Sequence, residues 1–283
     1  MKDYQLLDCG NQKKLERYGK YILIRPCPQA IWQPYSQELW SKAHSEFIKE
    51  SSEKGQWKAL QNPEGLKRNK LGSGIPDNWE IMNDGTKWRI EPNEYGNIGV
   101  FTEHWTYLNE VIQNFSNKGK TLSLFTYTGS NTVDLVKADH KVTVVDSSKN
   151  AIDGYTFNLG LNNLSREGQR LILEDVLKFT AREIRRGTLY SNIICDAPSF
   201  GRGTKGEVFD IDKNLVELLD TCKQLLTPKG KIFFSLHSPR YTITGLQNLA
   251  KQLFPKHQVT VEEILNPCNS GINLPSGHLI KII

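Results

Sequence analysis

The sequence has few cysteines and methionines, and it lacks the patterns that mark several classes of protein. Its 283 residues include five cysteines and two methionines. The cysteines are odd in number, widely spaced and without a C-x-x-C pair, which argues against a disulfide framework or a structural zinc site. No apolar run approaches the ~18 residues of a membrane helix, and the N-terminus opens no signal-peptide core. We therefore expect a cytoplasmic protein with no membrane partner and no metal.

The composition is that of a folded protein with a sizeable core. Apolar residues make up 38% of the chain and charged residues 24%, with a formal net charge of +5. At roughly 150 residues per domain, this length fits one large domain or two modest ones. The mild positive charge is compatible with a nucleic-acid partner without demonstrating one, and the oligomeric state cannot be read from the sequence.

The chain changes character near residue 100, and this change predicts two domains. Residues 1–100 carry all the tryptophans except Trp105. Turn signals at Gly19-Lys20 and Asp84-Gly85 predict hairpins, whereas the polar stretch over residues 51–77 predicts irregular structure. We predict a small β-rich N-terminal domain over residues 1–100 that helps to place the substrate. The second domain would cover residues 101–283.

From Thr121 onward, predicted strands alternate with predicted helices. Such alternation is typical of a parallel sheet with helices on both faces. The fold class is therefore α/β, with a Rossmann-like, doubly wound, mostly parallel seven-stranded sheet after the small β-rich domain. The predicted strands are residues 121–125, 141–145, 170–173, 192–195 and 231–236, with a closing antiparallel pair at 257–265 and 278–283.

Ligands of doubly wound sheets bind at the carboxyl ends of the strands, so the residues that follow each strand are the candidates. Gly129 follows the first predicted strand and Asp146 ends the second. An acid at that place can accept hydrogen bonds from the ribose of a nucleoside cofactor. An Asp beside Ser147 and Ser148 equally suits a helix cap, so both interpretations are open at this point.

The first loop distinguishes two nucleoside cofactors. A dinucleotide needs G-x-G-x-x-G so that the backbone can approach the pyrophosphate, and this loop contains only Gly129. S-adenosylmethionine carries no phosphate and needs no such cradle. The loop therefore favours S-adenosylmethionine and argues against an NAD(P)-dependent oxidoreductase.

Two further strand ends carry candidate residues. Asp175 and Val176 follow the third strand and could bind an adenine amine and ring, although a helix-capping turn is the preferred interpretation of these residues alone. The fourth strand ends in Asp196-Ala197-Pro198-Ser199-Phe200. An acceptor, a proline-stiffened turn and an aromatic ring in this order can orient and flank a planar base.

Four motifs occur in order along the chain and together resemble a known family. They are Phe125-x-Tyr127-Thr128-Gly129, Val145-Asp146-Ser147-Ser148-Lys149, Glu174-Asp175-Val176 and the run from Asp196 to Val208. The combination resembles the class I S-adenosylmethionine-dependent methyltransferases of the bacterial large-subunit rRNA type. The resemblance extends to residues 99–105 and to N-terminal segments, and spans nearly the whole chain.

The resemblance implies a methyltransferase that uses S-adenosylmethionine and acts on rRNA or another RNA. It places the acceptor base at a catalytic set formed by Asp196, Pro198 and Phe200. Arg202 and Lys205 lie beside that set and are expected to contact RNA. The implied cofactor-binding residues are Phe101, Phe125, Tyr127, Gly129, Asp146, Ser147, Asp175, Val176 and Asp196.

The sequence departs from the family pattern at two points. Ala197 stands where the family has the first proline of a D-P-P turn, which keeps a rival interpretation open: a methyltransferase-like RNA-binding or ribosome assembly factor with little turnover. Methylation of cytosine C5 needs a cysteine nucleophile, but residues 235–240 contain none and Cys195 lies within a strand. We therefore expect transfer to an exocyclic nitrogen.

The same segment after the fifth strand contains a histidine. By residue type and place, His237 could act as a general base. The interpretation we favour is a polar residue whose hydrogen bonds are satisfied at a strand end.

Overall fold

The computed structural model describes residues 3–50, 54–61, 70–72, 74–203 and 206–283. The chain forms two compact units. The first comprises Met1–Phe101 and Leu265–Pro275, and the second comprises Thr102–Ile264 and Ser276–Ile283. The predicted domain 101–283 therefore includes a late segment that the structure groups with the first unit. The predicted role of the N-terminal domain stays a prediction.

A five-stranded sheet, in the order β1-β2-β3-β4-β5, forms most of the first unit. A separate two-stranded hairpin pairs β6 with β7. The elements are β1 (Tyr4–Gly10), β2 (Lys13–Tyr18), β3 (Tyr21–Pro26), α1 (Gln37–Trp40), β4 (Ser45–Lys49), β5 (Gly55–Ala59), β6 (Trp79–Asn83) and β7 (Thr86–Ile90).

Both predicted hairpins are confirmed. Strands β2 and β3 are joined at Gly19-Lys20, and β6 and β7 are joined at Asp84-Gly85. Asp84 and Gly85 have φ values of 47° and 79°, and two positive φ angles in a row are what a tight two-residue hairpin turn requires.

The prediction of irregular structure over residues 51–77 is wrong for one segment. Strand β5 lies within it and pairs antiparallel with β4. The strand contains one large apolar side chain, Trp57, which is buried, between the polar residues Gln56 and Lys58. So short an alternation is a weak local signal, and the pairing with β4 provides the partner that stabilises the strand.

A buried ion network fixes the first three strands. The Glu16 side chain is fully buried, with its carboxylate 2.7 Å from Arg25 Nη2 and 3.2 Å from Lys14 Nζ. The Tyr18 hydroxyl donates to the same carboxylate at 2.8 Å. Burial alone would raise the pKa of Glu16, but Arg25 and Lys14 outweigh it and lower the pKa to about 2.

The second unit alternates strands and helices after a short 3₁₀ helix at Thr102–Thr106. None of the described helices is long and apolar enough to span a bilayer. The elements are α2 (Leu108–Asn114), β8 (Lys120–Leu124), α3 (Val133–Lys137), β9 (Lys141–Asp146), α4 (Lys149–Leu161), β10 (Arg170–Leu173), α5 (Val176–Arg185), β11 (Tyr190–Ala197), β12 (Phe200–Arg202), β13 (Val208–Asp210), α6 (Ile211–Leu225), β14 (Leu226–Leu236), α7 (Ile243–Leu253), β15 (Val259–Pro267) and β16 (Asn273–Ile282).

The main sheet has seven strands in the order β10-β9-β8-β11-β14-β16-β15. The first five strands in this order are parallel, and β16 runs antiparallel to β14. This confirms the predicted doubly wound, mostly parallel sheet beside a β-rich N-terminal region. After β10 the chain returns to the other side of β8, so the strand order reverses between β8 and β11.

Glu16 allows a test of the buried network. Its folded pKa of about 2 lies below the ordinary 4.5, so the stabilisation is present above pH 4.5 and is lost as pH falls toward 2. We expect the wild type to lose about 2 kcal/mol from this group between pH 6 and pH 3. The Glu16→Gln variant should not show this acid-dependent loss of stability. The substitution should itself destabilise the protein by about 3–5 kcal/mol at pH 7, because Arg25 is left unpaired.

Urea unfolding followed by circular dichroism measures both effects. The matched control is Glu38→Gln, because Glu38 is 81% exposed and forms a surface ion pair with Lys42. That change should leave stability close to that of the wild type, because an exposed ion pair contributes little. A Glu16→Gln variant with the same acid dependence as the wild type would contradict the assignment.

Candidate active site

The carboxyl ends of β8 and β11 lie side by side at the point where the strand order reverses. Cys195 of β11 pairs with Leu124 of β8, the last residue of that strand. Ligands of open α/β sheets bind at such a switch point, because the loops that follow the two strands diverge and leave a crevice. The predicted motifs at residues 125–129 and 196–200 begin here, within the second unit.

The loop after β8 has a strained backbone. Phe125, Tyr127 and Gly129 have φ values of 55°, 51° and 91°, a region that residues with a side chain seldom adopt. The Tyr127 N–H donates to Asp146 Oδ2 at 2.8 Å, and Asn158 Nδ2 donates to the Thr128 carbonyl at 3.0 Å. Such strain persists only where surrounding contacts hold it, and it is concentrated at functional sites.

Gly129 is required by its packing as well as by its backbone conformation. A Cβ atom at this position would lie 2.5 Å from Cδ2 of Tyr155, a fully buried residue of α4. The backbone at Gly129 therefore lies close to a neighbouring side chain. The predicted role of Gly129 in binding the cofactor stays a prediction.

Asp146 accepts hydrogen bonds from the loop after β8 and from the residues that follow its own strand, β9. Its Oδ2 accepts from Tyr127 N, and its Oδ1 accepts from Ser148 N at 2.8 Å. Helix α4 is capped by Ser148, whose hydroxyl accepts from Ala151 N. Burial raises the pKa of Asp146, although these backbone N–H groups oppose the shift. The cap is thus a different residue, and Asp146 keeps acceptor capacity for a ligand, since a carboxylate accepts about four hydrogen bonds.

The end of β10 forms a helix cap, as one of the two interpretations of this segment predicts. Asp175 Oδ1 accepts from Lys178 N at 3.0 Å at the start of α5. Val176 is 2% exposed and belongs to the apolar core. The cap explains Asp175 structurally, and contact of Asp175 and Val176 with an adenine stays a prediction.

Asp196 lies at the centre of a buried hydrogen-bonded cluster. It is 8% exposed, and its Oδ1 accepts from Ser235 Oγ at 2.6 Å and faces His237 Nε2 at 3.0 Å. His104 Nε2 lies 3.0 Å from the other oxygen, Oδ2. The sheet register places Ser235 beside Asp196, and His237 follows directly after β14.

The cluster holds Asp196 as an anion. Burial alone would raise the pKa of Asp196, but the imidazoles of His104 and His237 outweigh burial and hold this pKa well below its usual value. Burial opposes the charged form of His237 as well, yet the Asp196 carboxylate raises the pKa of His237 to about 9. Tyr107 completes the cluster by donating to Ser235 Oγ at 3.3 Å.

Two imidazoles and a carboxylate are also a donor set that transition metals accept. The donor atoms of His104, Asp196 and His237 lie within 4.8 Å of one another. His237 Nε2 is hydrogen-bonded to Asp196, and His104 Nε2 lies 3.0 Å from the other carboxylate oxygen. The sequence prediction of no metal stays a prediction.

The turn after Asp196 is stiffened by the sheet instead of by a second proline. Ala197 is buried and still pairs with Leu236 of β14. The Ser199 carbonyl accepts from Ile211 N at 3.1 Å, which ties the turn to the start of α6. The structure therefore accounts for a fixed turn with alanine at position 197. Phe200 follows on β12 and is 52% exposed.

The other predicted site residues lie outside the cluster around Asp196. Phe125 packs against Phe209 of β13, with ring centroids 4.8 Å apart. Phe101 belongs to the first unit, and its role in binding the cofactor stays a prediction. Arg202 ends β12, and Lys205 lies outside the described residues, so their contacts with RNA also stay predictions.

His104 is a site residue that no sequence pattern identified. This residue lies within the family-like segment of residues 99–105, but nothing in the local pattern separates it from its neighbours. Only the folded chain brings it against Asp196. His237 was singled out by its place after the fifth strand, and the structure confirms that its hydrogen bonds are satisfied.

Comparison with known proteins gives several relatives named as methyltransferases. A SAM-dependent methyltransferase from Agrobacterium tumefaciens is 30% identical and superimposes with a TM-score of 0.87, over 99% of this chain and 90% of that chain. Ribosomal RNA large subunit methyltransferase K from Neisseria meningitidis is 24% identical over 87% of this chain and 71% of its own length. No family model matches the chain.

Other curated relatives are much longer than this chain. Ribosomal RNA large subunit methyltransferase K/L from Syntrophotalea carbinolica is 31% identical over 56% of this chain, which corresponds to 22% of that protein. The chain thus spans about a fifth of the length of such relatives.

Gly129 offers a test of the packing at this loop. We expect Gly129→Ala to destabilise the protein by about 2–4 kcal/mol, because alanine meets both the left-handed backbone and the Tyr155 ring. The control is Gly160→Ala in the same helix as Tyr155, where an added Cβ has no atom within 4 Å. That change should stabilise the helix by about 0.5–1 kcal/mol. Equal unfolding free energies for the two variants would refute the packing argument.

Proposed function

Because the chain belongs to the S-adenosylmethionine-dependent methyltransferases, we propose that it transfers a methyl group from that cofactor to a base of large-subunit ribosomal RNA. The acceptor assignment is supported by the curated relatives, whose names specify this RNA. It is also supported by the chemistry at Asp196. The first unit would help to place the RNA, and the enzyme would work in the cytoplasm, where ribosomal RNA is found.

The cofactor site would lie along the ends of β8, β9 and β10. Asp146 would hold the ribose, Asp175 and Val176 the adenine, and Tyr127 and Gly129 the methionine portion. The strained loop supports this placement, because it presents fixed backbone next to a buried acceptor without the glycines of a phosphate cradle. Phe101, Phe125 and Ser147 would complete the site. Bound S-adenosylmethionine supplies a methyl group on a positively charged sulfur.

The observation that carries the acceptor chemistry is the buried, ionised carboxylate of Asp196. Ser235 Oγ and His237 Nε2 are hydrogen-bonded to its Oδ1, and His104 Nε2 lies 3.0 Å from its Oδ2; because a carboxylate accepts about four hydrogen bonds, capacity remains for a further donor. An exocyclic amine supplies such an N–H, and Asp196 would hold its nitrogen in line for transfer. Pro198 would shape the turn, and the exposed ring of Phe200 would stack on the base.

A nitrogen acceptor suits this site better than a ring carbon. Addition to cytosine C5 would need a thiolate, and burial raises the pKa of the nearest cysteine, Cys195, well above its usual value. Transfer to an amine forms the nitrogen–carbon bond and breaks the sulfur–carbon bond, whose electron pair stays on sulfur. The positively charged amine then releases its proton to water, because Asp196 binds protons too weakly to take it.

Positive charge near the acceptor site would come from Arg202 and Lys205. Several other basic residues form ion pairs with acidic residues of the protein itself. Lys14 and Arg25 pair with Glu16, and Arg182 pairs with Glu174. These pairs are mostly structural, so we propose that RNA phosphates lie along the loop after Asp196.

Asp146 tests the cofactor site. We expect Asp146→Ala to weaken S-adenosylmethionine binding by ~1–3 kcal/mol, because the ribose hydroxyls lose an acceptor. Isothermal calorimetry measures the affinity. The control is Asp153→Ala, which removes an exposed carboxylate that forms an ion pair with Lys149 on the surface of α4. An Asp146→Ala variant that binds like the control would rule out the ribose assignment.

Asp196 tests the acceptor site. We expect Asp196→Asn to lower the rate of methyl transfer by at least about 100-fold and to change cofactor affinity by less than about threefold. The neutral amide both donates and accepts hydrogen bonds, so it cannot orient the acceptor amine as the negatively charged carboxylate does. Transfer of a tritiated methyl group to rRNA gives the rate, and calorimetry gives the affinity. Parallel losses in both would reassign Asp196 to the cofactor.

The acceptor itself is tested with rRNA from a strain that lacks the gene. Mass mapping against wild-type rRNA should reveal one missing methyl group, and the purified enzyme should restore it in vitro. Cofactor binding without transfer to rRNA would favour the rival assignment, an RNA-binding or assembly factor. Transfer to protein and not to RNA would replace the proposed substrate class.

A further inference from the structure

His237 has an acceptor atom against each of its two ring nitrogens. Nδ1 lies 2.6 Å from the Ser276 carbonyl oxygen, and Nε2 lies 3.0 Å from Asp196 Oδ1. A backbone carbonyl and an ionised carboxylate have no proton to donate, so each can only accept a hydrogen bond. A neutral imidazole has one N–H, so it can satisfy only one of these contacts. Both contacts are satisfied together when the ring carries two protons and a positive charge.

The alternative is a proton on Asp196 with a neutral His237, and the surroundings disfavour it. Oδ1 of Asp196 already accepts from Ser235 Oγ, and its Oδ2 lies 3.0 Å from His104 Nε2. The Ser235 hydroxyl itself accepts from Tyr107, so it donates toward the carboxylate. The hydroxyl that donates to Oδ1 and the imidazole of His104 beside Oδ2 both favour the ionised carboxylate, which in turn favours the charged ring.

The other charged or titratable groups around His237 come from neighbouring elements. Glu103 on the 3₁₀ helix adds a favourable negative charge. His278 on β16 pairs with Leu236, the residue before His237, and the two imidazoles oppose each other's charge. His104 is the third ring, with its centroid 6.5 Å from that of His237. Asp196 and Glu103 therefore provide the negative charge that compensates the imidazolium.

Ser276 is held against His237 by a special backbone position. The next residue, Gly277, has a φ of 133°, and an added Cβ would lie 2.5 Å from the Leu236 carbonyl and 2.8 Å from His237 Nδ1. Only glycine lets β16 approach the ring this closely. The contact at Nδ1 is therefore built into the packing of two strands and is independent of Asp196.

We propose that His237 is a positioning residue that acts as a fixed cation: its doubly protonated ring holds Asp196 ionised and in one orientation, and it does not serve as the base. This inference deepens the proposed function and rests on it for the role of Asp196 in transfer. It excludes the general-base interpretation of His237, because a ring with both nitrogens protonated cannot accept a proton. Methyl transfer should therefore decline when this ring loses its proton at high pH.

The protonation state can be measured without any RNA. Protein labelled with ¹⁵N-histidine is titrated from pH 6 to pH 10 by NMR, with His237 assigned by its absence in His237→Gln. We expect both ring nitrogens to show protonated shifts at pH 7, with a midpoint near pH 9. A singly protonated ring at pH 7 would overturn the proposal, whatever the acceptor proves to be.

The consequence for catalysis is measured on the same proteins. Wild-type kcat should fall by about tenfold per pH unit above the midpoint. His237→Gln should have a kcat at least about tenfold lower at pH 7.5, no decline over the same alkaline range, and a cofactor affinity within about threefold of wild type. His257→Gln, a histidine on the loop after α7, should keep the wild-type profile.

Different results would contradict the proposed rRNA acceptor and the proposed role of His237. If the NMR titration is as expected but no rRNA is methylated, the proposed acceptor is wrong while the charge state of His237 stands. If rRNA is methylated and His237→Gln keeps the wild-type alkaline decline, the positioning role is wrong while the proposed function stands. A purely structural role for His237 would lower the amount of folded protein without removing the alkaline limb.

Discussion

Asp196 is a carboxylate buried at the end of a central strand, and a charge in that position costs several kcal/mol unless donors surround it. Three elements supply those donors. Strand β14 contributes Ser235, the residues directly after it contribute His237, and the 3₁₀ helix contributes His104. The relative position of these elements and the ionisation of Asp196 therefore depend on each other. The site exists only when β11, β14 and the segment before α2 are all in place.

The opposite side of the switch point depends on backbone strain. Left-handed residues at positions 125, 127 and 129 are each unfavourable, and contacts from β9 and α4 offset their cost. Asp146 and Asn158 bond the loop backbone, and Tyr155 leaves no room for a side chain at position 129. A buried charge and a strained loop thus face the crevice between β8 and β11, and contacts from neighbouring elements hold each of them in place.

The predictions succeeded where the signal is local. Apolar runs of strand length alternate with capped helices, so the strands that form the parallel sheet were located to within a few residues, and Asp146 and Asp196 were found because each ends such a run. Strand β5 was missed because its single buried tryptophan makes too short a pattern. A helix cap was the preferred interpretation of Asp175 taken alone, and the structure establishes the cap. His104 was not identified, because its partner lies far away in the sequence.

The sequence by itself determined the class of fold, the order of its strands along the chain and the acidic residues at the strand ends, since hydrophobic periodicity and turn chemistry act over a few residues. Only the tertiary structure decided which side chains surround Asp196, and hence that His237 bears a charge. The physical reason is that pKa values depend on burial and on partners within a few ångströms. Here those partners come from residues 104, 196, 235 and 276, which no local pattern connects.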